Sequence, residues 1–378
     1  MRETALTQTR NIDEDAKRPV LPAIRFLTFR GEFFGKRNII LAGLFAFVCA
    51  IVLVGIGDGA VAVSPLQIVS IIAGKLGIDI GISYELRQES VLWAIRLPRV
   101  LLGLLVGASL AVSGTLLQGL FRNPLAEPNL LGISSGAALF AVGSIVLGER
   151  IAYGIFFEYK VFALPVAAFI GGIATIMIVY KVGRRRGSVD TATVLLAGIA
   201  LNALAGAGIG LLTYLADDAQ LRNITFWLLG SLGGATWKSL AVITPLIVLP
   251  LLLLKDLSRK MNALLLGDAE ANHLGIDVDK LKRRIVFIVA LTVGASVSLT
   301  GIIGFVGLVV PHLLRLTIGA DHRNLLPASV LLGAGLLIGA DWISRTLVAP
   351  AEMPIGVITA AIGSPFFLWL LLRKRNES

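Results

Sequence analysis

The sequence predicts an all-α integral membrane fold of about ten transmembrane helices, and three observations carry that expectation. Hydrophobic residues make up 56% of the 378 and charged residues 15%, with mean hydropathy +0.84. That leaves too little polar material to coat a soluble domain. Apolar stretches recur from Asn38 to Leu372 at the ~20 residues needed to cross ~30 Å of hydrocarbon. Lys and Arg gather in 2–37, 181–186, 255–284 and 373–375, which are alternate loops, as the positive-inside rule requires of cytoplasmic segments. The net charge of +10 therefore reads as topology, and nucleic-acid binding is disfavoured.

Residues 1–37 read as a cytoplasmic N-terminal arm and 38–378 as the transmembrane domain. The arm has no apolar core followed by small residues, so it is a tail rather than a signal peptide. The spans fall at 38–56, 97–119, 129–147, 161–182, 192–214, 239–256, 285–303, 306–319, 325–347 and 356–372. The eighth is short and contains Pro311. Segment 57–96 carries Asp58, Asp79, Glu85 and Glu89 with few cations, which places it outside. An even number of crossings returns Arg373-Lys374-Arg375 to the side of the arm, so both termini are expected in the cytoplasm of a multi-pass bacterial inner-membrane protein. The pairs Gly103/Gly107, Gly132/Gly136, Gly206/Gly210 and Gly335/Gly339 read as close helix packing rather than as sites. The single cysteine, Cys49, allows no disulfide framework.

Five blocks stand out. Trp93-Ala94-Ile95-Arg96-Leu97-Pro98-Arg99 opens the second span, because Pro98 is tolerated only in a first helical turn. Arg96 and Arg99, three apart, share a helix face at the water boundary, where a mid-bilayer cost of at least ~2.5–3.5 kcal/mol is avoided. Position alone favours snorkelling anchors over a docking site. The run Gln118–Pro128 holds two prolines in five residues, Pro124 and Pro128, and forms an irregular turn closed by Leu130–Gly136. The stretch Leu265–Gly275 reads as a short helix bounded by Gly267 and Gly275, with Asp268 and Glu270 suited to its N-terminal end. The last two blocks are Thr300–His312 and Ala340–Arg345, the latter followed by Glu352–Ala360 and Gly363–Phe367.

In this order the blocks resemble the FecCD/BtuC-like permeases of bacterial cobalamin, ferric-siderophore and haem importers, from about Val91 to Arg373. The resemblance implies a type II ABC importer permease fold, working as a homodimer with a central pathway. It implies two cytoplasmic ATPase subunits and a periplasmic binding protein as partners, beside the membrane lipid. Arg96, Arg99 and Arg345 are then docking arginines for carboxylates of the binding protein at an accessible rim, setting approach and orientation. Asn123 and Leu125 on one turn, with Thr191 and Ala192 on another, correspond to a cytoplasmic gate. Gly267, Asp268, Ala269, Glu270, Ala271, Leu274 and Gly275 correspond to the helix that couples to the ATPase. Its small residues permit close seating, and Leu274 supplies an apolar knob.

The chain has no GxxxxGK(S/T) motif, so ATP hydrolysis belongs to a partner and no cofactor is expected on this chain. His273, His312 and His322 are scattered with no ligand spacing, so neither a metal site nor an enzyme is indicated. A proton-coupled secondary transporter is the alternative from another class. It would keep acids within its spans as relays, and Asp341 is the nearest approach to one. For the cargo, Gln220–Trp237 lies at the outer entry and looks most like haem permeases, with Arg222 and Trp227 as entry residues. Ferric-siderophore or cobalamin carriage is the alternative. A re-entrant helix whose Trp227 and Trp237 are interface anchors would give the same pattern.

Overall fold

The computed structural model describes residues 22–152, 160–185 and 188–377. In chain order it holds α1 (Pro22–Gly57), α2 (Pro65–Lys75), α3 (Leu86–Val91), α4 (Leu97–Leu120), α5 (Ile133–Ala152) and α6 (Lys160–Gly183). A two-residue-strand hairpin, β1 (Arg184–Arg185) and β2 (Ser188–Val189), leads to α7 (Thr191–Tyr214), α8 (Asp218–Leu229), α9 (Trp237–Leu252), α10 (Leu254–Leu264) and α11 (Asp268–His273). The chain ends on α12 (Val278–Thr300), α13 (Val306–Ile318), α14 (His322–Thr346) and α15 (Ile355–Glu377).

Ten of these helices, α1, α4–α7, α9 and α12–α15, overlie the ten spans read from the sequence. Six are long and apolar enough to cross a membrane alone, and α9 with α10 makes a seventh, bent by 50°. The apolar parts of α5, α13 and α15 are shorter. Three boundaries differ from expectation. α1 starts at Pro22, so the arm and the first span share one helix, and the change at residue 38 is one of composition only. The sixth span stops at Leu252, where Pro245 and Pro250 have already removed two backbone donors from α9. The seventh starts at Val278, capped by Asp277 accepting from Lys280 N, and ends where Gly301 takes φ +70°.

α4 is the central helix. Its glycines meet backbone: a Cβ on Gly107 would lie 2.3 Å from Gly333 O, and one on Gly114 1.7 Å from Gly307 O. Hydroxyls then bridge it to its neighbours. Ser109 meets Ser296 at 2.6 Å, Ser113 meets Thr292 at 3.1 Å, and Thr115 meets Ser329 at 2.8 Å. Such bonds contribute roughly 0.6 kcal/mol each between membrane helices. α7 lies at the edge instead, with Leu196, Ile199, Leu204 and Leu211 exposed.

Candidate functional site

At one end of the bundle, five consecutive residues, Leu92–Arg96, form a π-helical turn that feeds Arg96 and Arg99 into α4. The Arg96 guanidinium donates to the carbonyls of Ile56 at 2.8 Å, Gly57 at 2.9 Å and Val61 at 2.6 Å. It thereby closes the loop that follows α1, and Gly59 leaves the room it occupies. Arg99 donates from Nε to Asp341 at 2.9 Å and from Nη1 to Glu352 at 2.9 Å. Arg345 Nη2 donates to Gly55 O at 3.0 Å. Its Nε lies 3.2 Å from Asp341, an ion pair without the angle of a hydrogen bond.

The sequence places these three arginines at an open rim, and the structure corrects that. Arg96 and Arg99 are 5% and 6% exposed, and the Arg345 side chain is 12% exposed. The physical reason is that a guanidinium with five donors, next to hydrocarbon, is satisfied by carbonyls and carboxylates of its own chain. Glu352, with half its side chain exposed, is the carboxylate of this group that faces out. Asp341 and Glu352 as partners were not legible from spacing, since they lie 242 and 253 residues from Arg99.

At the same end, α8 carries Arg222 and Trp227, the two residues expected at the entry. Arg222 is exposed, while Trp227 is half-buried with no hydrogen-bond partner for its Nε1. The C-terminus of α8 is wedged backbone against backbone. A Cβ on Gly301 would lie 2.0 Å from Trp227 O, and one on Gly356 2.3 Å from Leu229 O.

At the opposite end, the turn after α4 puts Arg122 at φ 48°. Asn123 Oδ1 accepts from Leu125 N at 2.9 Å, which holds the Leu125 side chain outward and exposed. Thr191 and Ala192 form the first turn of α7, capped by Asp190, which accepts from Thr193 N. Among the described residues no hydrogen bond or ion pair joins these two pairs. The turn meets α7 elsewhere: Asn202 Nδ2 donates to Asn129 O at 3.0 Å, and Gly198 is pressed against Leu130 O. Within the turn, burial pushes the Glu127 carboxyl above its usual range, opposed by a hydrogen bond from Asn129.

α11 sits between Gly267 at φ +135° and Gly275 at φ +79°. Its Asp268 carboxylate pairs with Arg122 and, at 2.6 Å, with Lys282 of α12. Ala269, Glu270 and Leu274 are exposed, but Ala271 is fully buried in the chain's own core. Ala271 is therefore unavailable to a partner, because a six-residue helix lying on the bundle must turn one face inward. The bond from Asp268 to Arg122 ties this helix to the turn after α4, a link that sequence reading missed. Among the described residues no cluster of His, Cys, Asp and Glu could hold a metal ion.

The model of the FecCD transport family matches residues 45–373, beginning well before the sequence blocks do. The hemin transport system permease of Yersinia pestis is 49% identical over 80% of this chain and 91% of its own length. The cobalamin import permease of Halobacterium salinarum is 43% identical over 75% and 73% of the two chains. The vitamin B12 import permease of Klebsiella pneumoniae is 41% identical over 82% and 91%. A solved structure described as an inward-facing metal-chelate type ABC transporter superposes with TM-score 0.77 at 32% identity, covering 89% of this chain and 99% of that one.

Proposed function

The chain belongs to the FecCD transport family, and from that premise we propose that this ABC importer permease passes haem across the inner membrane by alternating access. The observation that supports haem is the 49% identity to the hemin permease. Cobalamin is the second reading, supported by relatives at 43% and 41%. The chain is a transport subunit and not an enzyme, as its relatives are permeases. It works as a homodimer with two ATPase subunits, takes cargo from a periplasmic binding protein, and keeps both termini in the cytoplasm.

In this reading the arginine cluster is the base of the docking face, and carboxylates of the binding protein compete with Glu352 for Arg99. Asn123, Leu125, Thr191 and Ala192 close the inner end. The exposed side of α11, Ala269 with Leu274, seats in the ATPase. A proton-coupled carrier is disfavoured because Asp341 is held between Arg99 and Arg345, which leaves no free relay in that span. The decisive experiment reconstitutes the permease with its ATPase and binding protein in vesicles. ATP-dependent haem uptake without cobalamin uptake is the expected result. Cobalamin uptake alone would transfer the assignment to the second reading, and uptake driven by a pH gradient without ATP would overturn both.

A further inference from the structure

Between α6 and α12, at the end of the bundle that carries α10 and α11, lies a cleft of about 580 Å³. Its walls are apolar side chains, among them Ile173, Met177 and Phe287, and the last two are exposed. Its mouth is cationic: Lys181 comes from the last turn of α6, Arg184 from β1 directly after it, and Arg283 from the first turns of α12. All three are exposed, and among the described residues none forms a hydrogen bond or ion pair with another side chain; Arg283 lies in the field of Asp277. Ile173 stands ten residues before the end of α6 at Gly183, so the cleft runs roughly 15 Å down the helix. That is about the depth of one leaflet of a ~30 Å hydrocarbon core.

We propose that this cleft is a binding site for one anionic phospholipid of the inner leaflet. The acyl chain lies along Ile173, Met177 and Phe287, and the phosphate meets Lys181, Arg184 and Arg283. The assignment rests on charge complementarity at a fixed depth. A cleft for a neutral lipid needs no cations at its mouth, and cations serving topology alone need no cleft beneath them. Each cation near an anionic phosphate at the membrane surface strengthens the contact, and three together select lipid by headgroup. The inference depends on the chain spanning a membrane and is independent of the cargo, so uptake assays and lipid assays fail separately.

The test uses the full-length permease in nanodiscs of equal parts phosphatidylglycerol and phosphatidylcholine, with retained lipid measured by native mass spectrometry after release into detergent. The parent is expected to retain phosphatidylglycerol over phosphatidylcholine. The triple variant Lys181→Gln, Arg184→Gln and Arg283→Gln should lose that retention by roughly tenfold or more. The charge-keeping variant Lys181→Arg, Arg184→Lys and Arg283→Lys should preserve it, which separates a lost site from a damaged fold. Equal retention of the two lipids by the parent would overturn the proposal. So would displacement of the bound lipid by soluble glycerol 3-phosphate, which would make the mouth a free-phosphate site. Disulfide cross-linking of two chains through Met177→Cys would overturn it as well, since a second copy would then fill the cleft.

Discussion

α4 and α7 are helices of equal length, 24 residues, and both are apolar enough to cross a membrane. Their surroundings are opposite. In the helical stretch that contains α4, 83% of the most apolar window is buried within the chain; in α7 the share is 17%. Hydropathy therefore tells where a chain crosses and not which crossing is central. Glycine spacing does not decide it either, because Gly107 and Gly114 touch backbone whereas Gly206 and Gly210 have nothing within 4 Å. Paired hydroxyls do separate the two. Ser109, Ser113 and Thr115 each find a hydroxyl on another helix, while Thr213 of α7 turns back to its own carbonyl at Ile209.

The sharpest test exchanges glycines. Gly114→Leu forces a side chain into Gly307 O and should abolish monodisperse protein on size exclusion. Gly210→Leu should leave the melting temperature within about 2 °C, as surface changes do. Equal tolerance of the two would dissolve the contrast between centre and edge.

Next in size is Asp341→Ala, which leaves Arg99 with Glu352 alone and Arg345 with Gly55 O alone and should cost about 3–5 kcal/mol, the cost of breaking a buried pair. Thermal unfolding in detergent checks this against Glu352→Gln, whose half-exposed carboxylate should matter by at most about 1 kcal/mol. A smaller melting shift for Asp341→Ala than for Glu352→Gln would show that the arginine cluster is not braced from within.

A third pair divides α11 by face. Ala271→Trp should lower stability by about 1–3 kcal/mol through overpacking. Ala269→Trp should spare the melt and instead reduce co-purification of the ATPase or the uptake per ATP. Normal assembly and normal coupling in Ala269→Trp would exclude this face as the seat.

The smallest effect concerns rates. Glu352→Gln removes the charge of the exposed one of the two internal carboxylates on Arg99, and should raise the association rate of the binding protein a few-fold at low salt, fading as salt rises. An unchanged rate would mean that Arg99 stays committed to its own chain during docking.

Much of the fold was legible because membrane spans are set by length and apolarity, which are local properties. The ten helices that overlie the expected spans and the short helix after Gly267 belong to that class. What escaped was decided by distant partners. Lys280, Lys282, Arg283 and Arg284 read as loop, yet they lie in the first turns of α12, where Lys282 is buried against Asp268 and Val189 O. Arg96 and Arg99 were read as neighbours on one helix face, but their burial depends on α1, Asp341 and Glu352. The inward turn of Ala271 is equally silent in sequence, since a six-residue helix has too few residues for a periodic pattern.

The Asp268 carboxylate holds Arg122 with one oxygen and Lys282 with the other. Mechanically it is a yoke. A push on α11 cannot move that helix alone: it must draw the turn after α4 and the root of α12 along with it, or break either coupling. Because Lys282 is buried and Arg122 is not, the coupling to the turn is the one water can replace at least cost. Overload would thus release the turn first and leave α11 fastened to α12.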